Sequence, residues 1–167
     1  MLAEKAIIFK QLYNEWFEQT IIDYNYFVNK YFHDIKFAFK YDINDLKKYD
    51  KEVQIGFIIA YDQLSKPFCE KHDIDDISYS QIYSRIAEKM SITFLYDDSY
   101  KHYDLNVQDW YYILMPFVHL DSKSNLKTGL EIMKLMYHNP YISQKDKNIC
   151  KKFISDVGKP EKVCCFS

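Results

Sequence analysis

The sequence predicts an all-α protein, a single domain of about seven antiparallel helices. Three observations predict it. Apolar residues recur at three- and four-residue spacing through most of the chain, which is the period of one face of a helix. Breakers are scarce, with 3 Gly and 4 Pro among 167 residues, so elements should be long and their connections short. The one stretch whose β-branched content would also suit a buried strand, Lys51–Leu64, has no partner strand elsewhere in the chain. A chain of this length also buries a substantial core.

The first helix is marked by Leu2, Ala6, Phe9, Leu12, Tyr13, Trp16 and Phe17. The second spans about Asp23–Phe39, with Phe27, Tyr31, Ile35 and Phe39 four residues apart. A polar stretch, Tyr41–Asp50, reads as a turn with a short helical piece around Leu46. Lys51–Leu64 is apolar on nearly every side, so it is expected to be the central helix, most buried over Ile55–Leu64, because a helix with no polar face belongs inside. Pro67 should end it, with Lys71–Asp76 a solvated loop. A fourth helix over Tyr79–Phe94 carries Ile82, Ile86, Met90 and Phe94. Asn106 with Asp109 gives a capping-box-like start for a fifth helix, along which Val107, Trp110, Leu114 and Phe117 recur, with Pro116 near its end. The sixth helix holds Leu126, Leu130, Met133 and Tyr137 and stops at Pro140; the seventh is capped by Ser143 and Asp146. Gly158 and Pro160 end the domain at about residue 157, leaving residues 158–167 as a tail. Short loops imply antiparallel neighbours, stacked as a bundle or as helical hairpins.

Composition narrows the function classes. Net charge is −2, which gives no electrostatic case for nucleic acid, since that binding rests on neutralising phosphates. Arg85 is the only arginine, so 22 − 1 = 21 of the basic residues are lysine. Such a skew accompanies AT-rich genomes, those of large DNA viruses among them, and it leaves the planar five-donor guanidinium almost unused. Cys69, Cys150, Cys164 and Cys165 show no paired spacing, and the longest apolar run, Ile55–Tyr61, falls far short of the roughly 20 residues a membrane-spanning helix needs. A reduced, cytoplasmic setting is expected. With 16 Tyr and 12 Phe, many rings must pack while their hydroxyls stay wet. Trp16 and Trp110 could form a stacking platform, but at helical spacing they read as core.

Two apolar helical stretches each end in polar groups beside a proline: Val53–Phe68, with Asp62, Gln63 and Pro67, and Trp110–Asp121, with Pro116 and the ionisable pair His119 and Asp121. A carboxylate against an imidazole can orient a general base, and a second acid completes a minimal hydrolytic set. Asp62, His119 and Asp121 are therefore the catalytic candidates. With Gln63 and Lys66 they are also the binding candidates. The competing structural reading is that Asp62 and His119 satisfy each other, or a helix end, in a partly buried core. No nucleophile elbow of the form Gly-x-Ser-x-Gly is present. His33 with Asp34, His72 with Asp73 and His119 with Asp121 are pairs only, short of the three or four ligands a metal site requires. No metal or cofactor is expected. The last four residues, Cys164 to Ser167, fit a prenylation pattern with Lys159 and Lys162 upstream, so membrane attachment is expected only if Cys164 is lipidated.

Three blocks in order resemble the bacterial domain-of-unknown-function family numbered 924. They are Asn14–Phe17 with Asp23 and Phe27–Phe32, then Ile55–Phe68, then Tyr112–Asp121. The family's Leu-Leu-Asp-Gln-Phe-Pro-Arg-Asn string is similar to Ala60–Pro67, and its Pro-Leu-Glu-His-Ser-Glu-Asp string to Pro116–Ser122. This chain departs from it: Lys66 stands for the family's arginine, Val118 for its first glutamate and Leu120 for its serine. The resemblance implies a TPR-like stack of helical hairpins in which the fold is retained more fully than the polar cluster. The expected function is accordingly a non-catalytic helical module that binds a protein partner or sits in an assembly. The alternative is a small-molecule hydrolase using Asp62 and His119.

Overall fold

The structure is a computed structural model that describes residues 2–36, 42–74, 76–98 and 104–157. Every regular element among the described residues is helical. Contacts gather the chain into two compact units, Met1–Met90 and Ser91–Ser167.

In the first unit, α1 (Leu2–Glu18) buries Ala6, Phe9, Leu12 and Trp16 along one stripe. Asp23 opens α2 (Tyr24–Lys36) by accepting the Tyr26 amide at 3.1 Å, which answers one of the unpaired donors of a first turn. The α2 stripe buries Phe27, Val28 and Tyr31. Asp42 caps the single turn α3 (Ile43–Leu46), the piece predicted around Leu46, and Leu46 is buried. Asp50 caps α4 (Lys51–Ile58) through the Val53 amide.

Every residue from Val53 to Asp62 is buried, so the apolar run is central as its sequence predicted. The α1 backbone lies directly against it: a Cβ on Gly56 would stand 2.0 Å from the Phe9 carbonyl oxygen. Only glycine allows that approach.

The end of this element differs from expectation. After Ile58 the helix widens into a π turn, Ile59–Gln63, closed by an i to i+5 bond from the Leu64 amide to Ile59 O at 3.3 Å. A new helix, α5 (Ser65–Lys71), then follows, so Pro67 does not end a helix but lies in the first turn of one. Amides in a first turn have no helical acceptor, so the missing proline N–H removes nothing there. Together α3 and α5 raise the predicted seven helices to nine α-helices among the described residues.

The last element to begin in this unit is α6 (Asp76–Tyr96), which buries Tyr83, Ala87, Met90 and Phe94 on one side.

In the second unit, α7 (Val107–His119), α8 (Lys123–His138) and α9 (Gln144–Val157) pack on one another around Leu114, Phe117, Leu126, Met133, Cys150 and Phe153. The predicted capping box is present: Asp109 N donates to Asn106 Oδ1 at 2.8 Å, and Asn106 N to Asp109 Oδ2 at 3.2 Å. Pro116 lies inside α7, one turn before its end. At the start of α9, Ser143 Oγ accepts the Asp146 amide at 3.1 Å and donates to Asp146 Oδ2 at 2.8 Å. Gly129 of α8 faces the Leu114 side chain of α7, where an added Cβ would lie 2.8 Å from Leu114 Cδ2. The tail with Cys164 lies outside the described residues, as does Phe39.

Candidate functional site

The polar residues of the first block sit on the π turn and the first turn of α5. Asp62 is 3% exposed. Gln63, half-buried, donates from Nε2 to Asp62 Oδ2 at 2.6 Å, and Ser65 Oγ donates to the Asp62 carbonyl at 3.2 Å. Lys66 is exposed, 3.9 Å from Glu70 one turn on. The structure therefore brings Asp62 and Gln63 together through a side-chain bond, while Lys66 turns outward to its own helix.

Tyr24, at the start of α2, shares this neighbourhood. Its partial burial, and secondarily the negative charge of Asp62, push its hydroxyl pKa up. The Tyr24 ring stands edge-on to Trp16 at 5.8 Å, and Trp16 in turn lies 4.9 Å from Phe27. Trp16 is 1% exposed, the core residue its spacing predicted. Sequence reasoning missed Tyr24 and Ser65. Tyr24 offers no periodic signal, because the charge of Asp62 acts on it from another helix; Ser65 could have been found as a hydroxyl three residues after a buried acid.

The second block lies in the other unit. His119 is the last residue of α7 and is exposed. Asp121 has a clear structural role. Its φ is 51°, the left-handed region, and it stands just past the helix end. The Ser122 amide bonds to Phe117 O at 3.0 Å and the Asp121 amide to Val118 O at 3.4 Å. Those two bonds define a Schellman turn with Asp121 in the place usually held by glycine. The α5 terminus repeats this: Asp73 has a φ of 48°, and the Ile74 amide bonds to Cys69 O at 3.2 Å.

Of the remaining histidine–acid pairs, Asp34 is held by Lys5 at 2.6 Å, which joins α2 to α1. Among the described residues no group of three or more His, Cys, Asp or Glu is placed to hold a metal ion. Cys69 and Cys150 are buried; burial, and secondarily Asp146, push the Cys150 thiol up. Among the described residues no helix is long and apolar enough to cross a membrane.

Comparison of the chain with known protein families, with curated proteins and with solved structures finds no match.

Proposed function

We propose that the protein is a helical module that binds a protein partner or takes a place in an assembly, without a catalytic site of its own. The observation that carries this reading is the local employment of the sequence-predicted polar residues. Asp62 receives Gln63 beneath the surface, Lys66 pairs along its own helix, and Asp121 sits in a helix-ending turn. A hydrolytic set needs the opposite, side chains presented to a substrate at hydrogen-bond reach. The blocks that resemble the bacterial family support a TPR-like arrangement of hairpins, a scaffold suited to partner binding. The absence of a spanning helix among the described residues is compatible with a cytoplasmic setting.

A turnover screen against ester, amide and phosphoester substrates tests this reading. The expected result is no turnover that depends on His119. Hydrolysis lost in His119→Ala, with the melting temperature unchanged, would instead establish the Asp62–His119 hydrolase.

A further inference from the structure

Elsewhere in the chain lysines sit against carboxylates: Lys5 against Asp34 at 2.6 Å, Lys66 against Glu70 at 3.9 Å and Lys134 against Glu131 at 3.0 Å. The outer side of α9 departs from that pattern. Lys145, Lys151 and Lys152 are exposed and Lys147 is half-buried, and none of the four has an ion-pair partner among the described residues. At 100° per residue they fall within an arc of about 160°, which holds Asn148 and Ser155 as well but no acid. Cys150 and Phe153 occupy the opposite, buried side. Asp146 lies toward that side, bonded to Ser143, and Asp156 stands beyond the last lysine, just outside the arc.

The helix holds these lysines against its own electrostatics. Lys145 and Lys147 stand in its first turn, where the positive end of the helix dipole disfavours cations. Lys147 and Lys151 are four residues apart, a like-charge spacing that weakens a helix. Local rules are broken in this way chiefly where a surface has a function, and charge complementarity calls for an acidic surface opposite.

Three kinds of acidic surface differ in how they fit. Helices that lie on a bilayer do so through an apolar face, and the apolar face of α9 is already packed in the core with Leu114 and Met133. Phosphate is best gripped by the guanidinium fork; α9 has no arginine, and a chain of net charge −2 offers nucleic acid no general attraction. Carboxylates on a protein segment fit better, since a lysine ammonium meets each of them as a point charge.

We propose that the outer face of α9 docks an acidic helix of a protein partner, with its carboxylates at one- and two-turn spacing. The inference rests on the interaction reading above and names the partner chemistry for it. Lys147 and Lys151 meet one row of acids. Lys145 and Lys152, about 10 Å apart along the axis, meet the other.

A fluorescein-labelled, alanine-based helical peptide with glutamates at i, i+4, i+7 and i+11 is the probe, and fluorescence anisotropy reads its binding to the full chain. Wild type should bind it, more weakly as salt rises, and should not bind the same peptide with glutamine in place of glutamate. The Lys147→Gln, Lys151→Gln variant should lose affinity by about tenfold or more, while Lys147→Arg, Lys151→Arg, which keeps both charges, should retain it. Lys123→Gln, Lys127→Gln, an equal change of charge on the exposed side of α8, should leave it within about twofold. Circular dichroism confirms that each variant is folded. Absence of binding by folded wild type would overturn the proposal, and so would an equal loss in the α8 and α9 variants, which would mean attraction to positive charge in general. Sedimentation of wild type with phosphatidylserine vesicles, abolished by Lys147→Gln, Lys151→Gln while the peptide stays unbound, would overturn it in favour of a lipid surface. Each of these failures leaves the non-catalytic reading to the turnover screen, which has its own readout.

Discussion

A methyl group on Gly56 would have to occupy space 2.0 Å from the Phe9 carbonyl oxygen, and the obstacle is backbone rather than a side chain that can swing away. Gly56→Ala is therefore expected to cost about 3 kcal/mol or more despite alanine's better helix propensity. Gly129→Ala is the contrast: it meets only the end of the Leu114 side chain, so its effect should stay within about 1 kcal/mol as that side chain turns. Denaturant midpoints of the two variants measure both. Asp121 gives a third residue-scale expectation. It holds a φ of 51° in a turn that favours glycine, so Asp121→Gly should stabilise the fold by about 0.5–1 kcal/mol. A Tm that falls on this change would mean that the aspartate side chain itself matters there. None of these three roles was legible beforehand. Gly56 sat inside an apolar run, and Asp121 looked like an acid beside a histidine because sequence spacing does not report backbone handedness.

At the scale of elements, the helices with one buried face were legible, because their stripes are written at a period of 3.6. Both the capping box at Asn106 and the Ser143 cap were visible as short side-chain patterns. The π turn was not. Its widening adds a residue within a run already apolar all round, where no stripe exists to show a phase change. Pro67 misled because a proline stops one helix and starts another equally well.

The α1–α2 junction is held by side chains whose charge depends on pH. Glu15 accepts Lys30 at 2.5 Å and Gln11 at 3.0 Å. Partial burial opposes its ionisation, but those bonds and the nearby Tyr31 hydroxyl outweigh it, so the carboxyl pKa lies below its ordinary 4.5. With the folded value below the unfolded one, this contribution is present above pH 4.5 and is lost as pH falls through the folded value. Glu15→Gln should therefore flatten the acid limb of the stability curve below that pH and change little at neutrality beyond the loss of the ion pair. An acid limb unchanged in slope would remove Glu15 from the account.

The whole molecule brings two units, each with its own buried centre, into one chain. At the opposite end of the pH scale its aromatic richness has a consequence. Burial, then the neighbouring Cys69 and Tyr79, push the Tyr83 hydroxyl up to about 12, and Tyr31 is raised further, by burial and then Glu15. Because the folded values exceed the unfolded one near 10, the stability they confer is complete below pH 10 and is lost as pH rises through the folded values. An ultraviolet titration should show a group of tyrosines ionising only as the chain unfolds. Ionisation of all 16 near pH 10 with the fold intact would contradict this burial. The proposed helical module works by binding. Its most direct test is the native mass of the protein, isolated at natural abundance after mild crosslinking and weighed by native mass spectrometry. The expected result is a defined complex of fixed stoichiometry above the 20.2 kDa of the chain alone; a lone chain that turns over a substrate through His119 would contradict it.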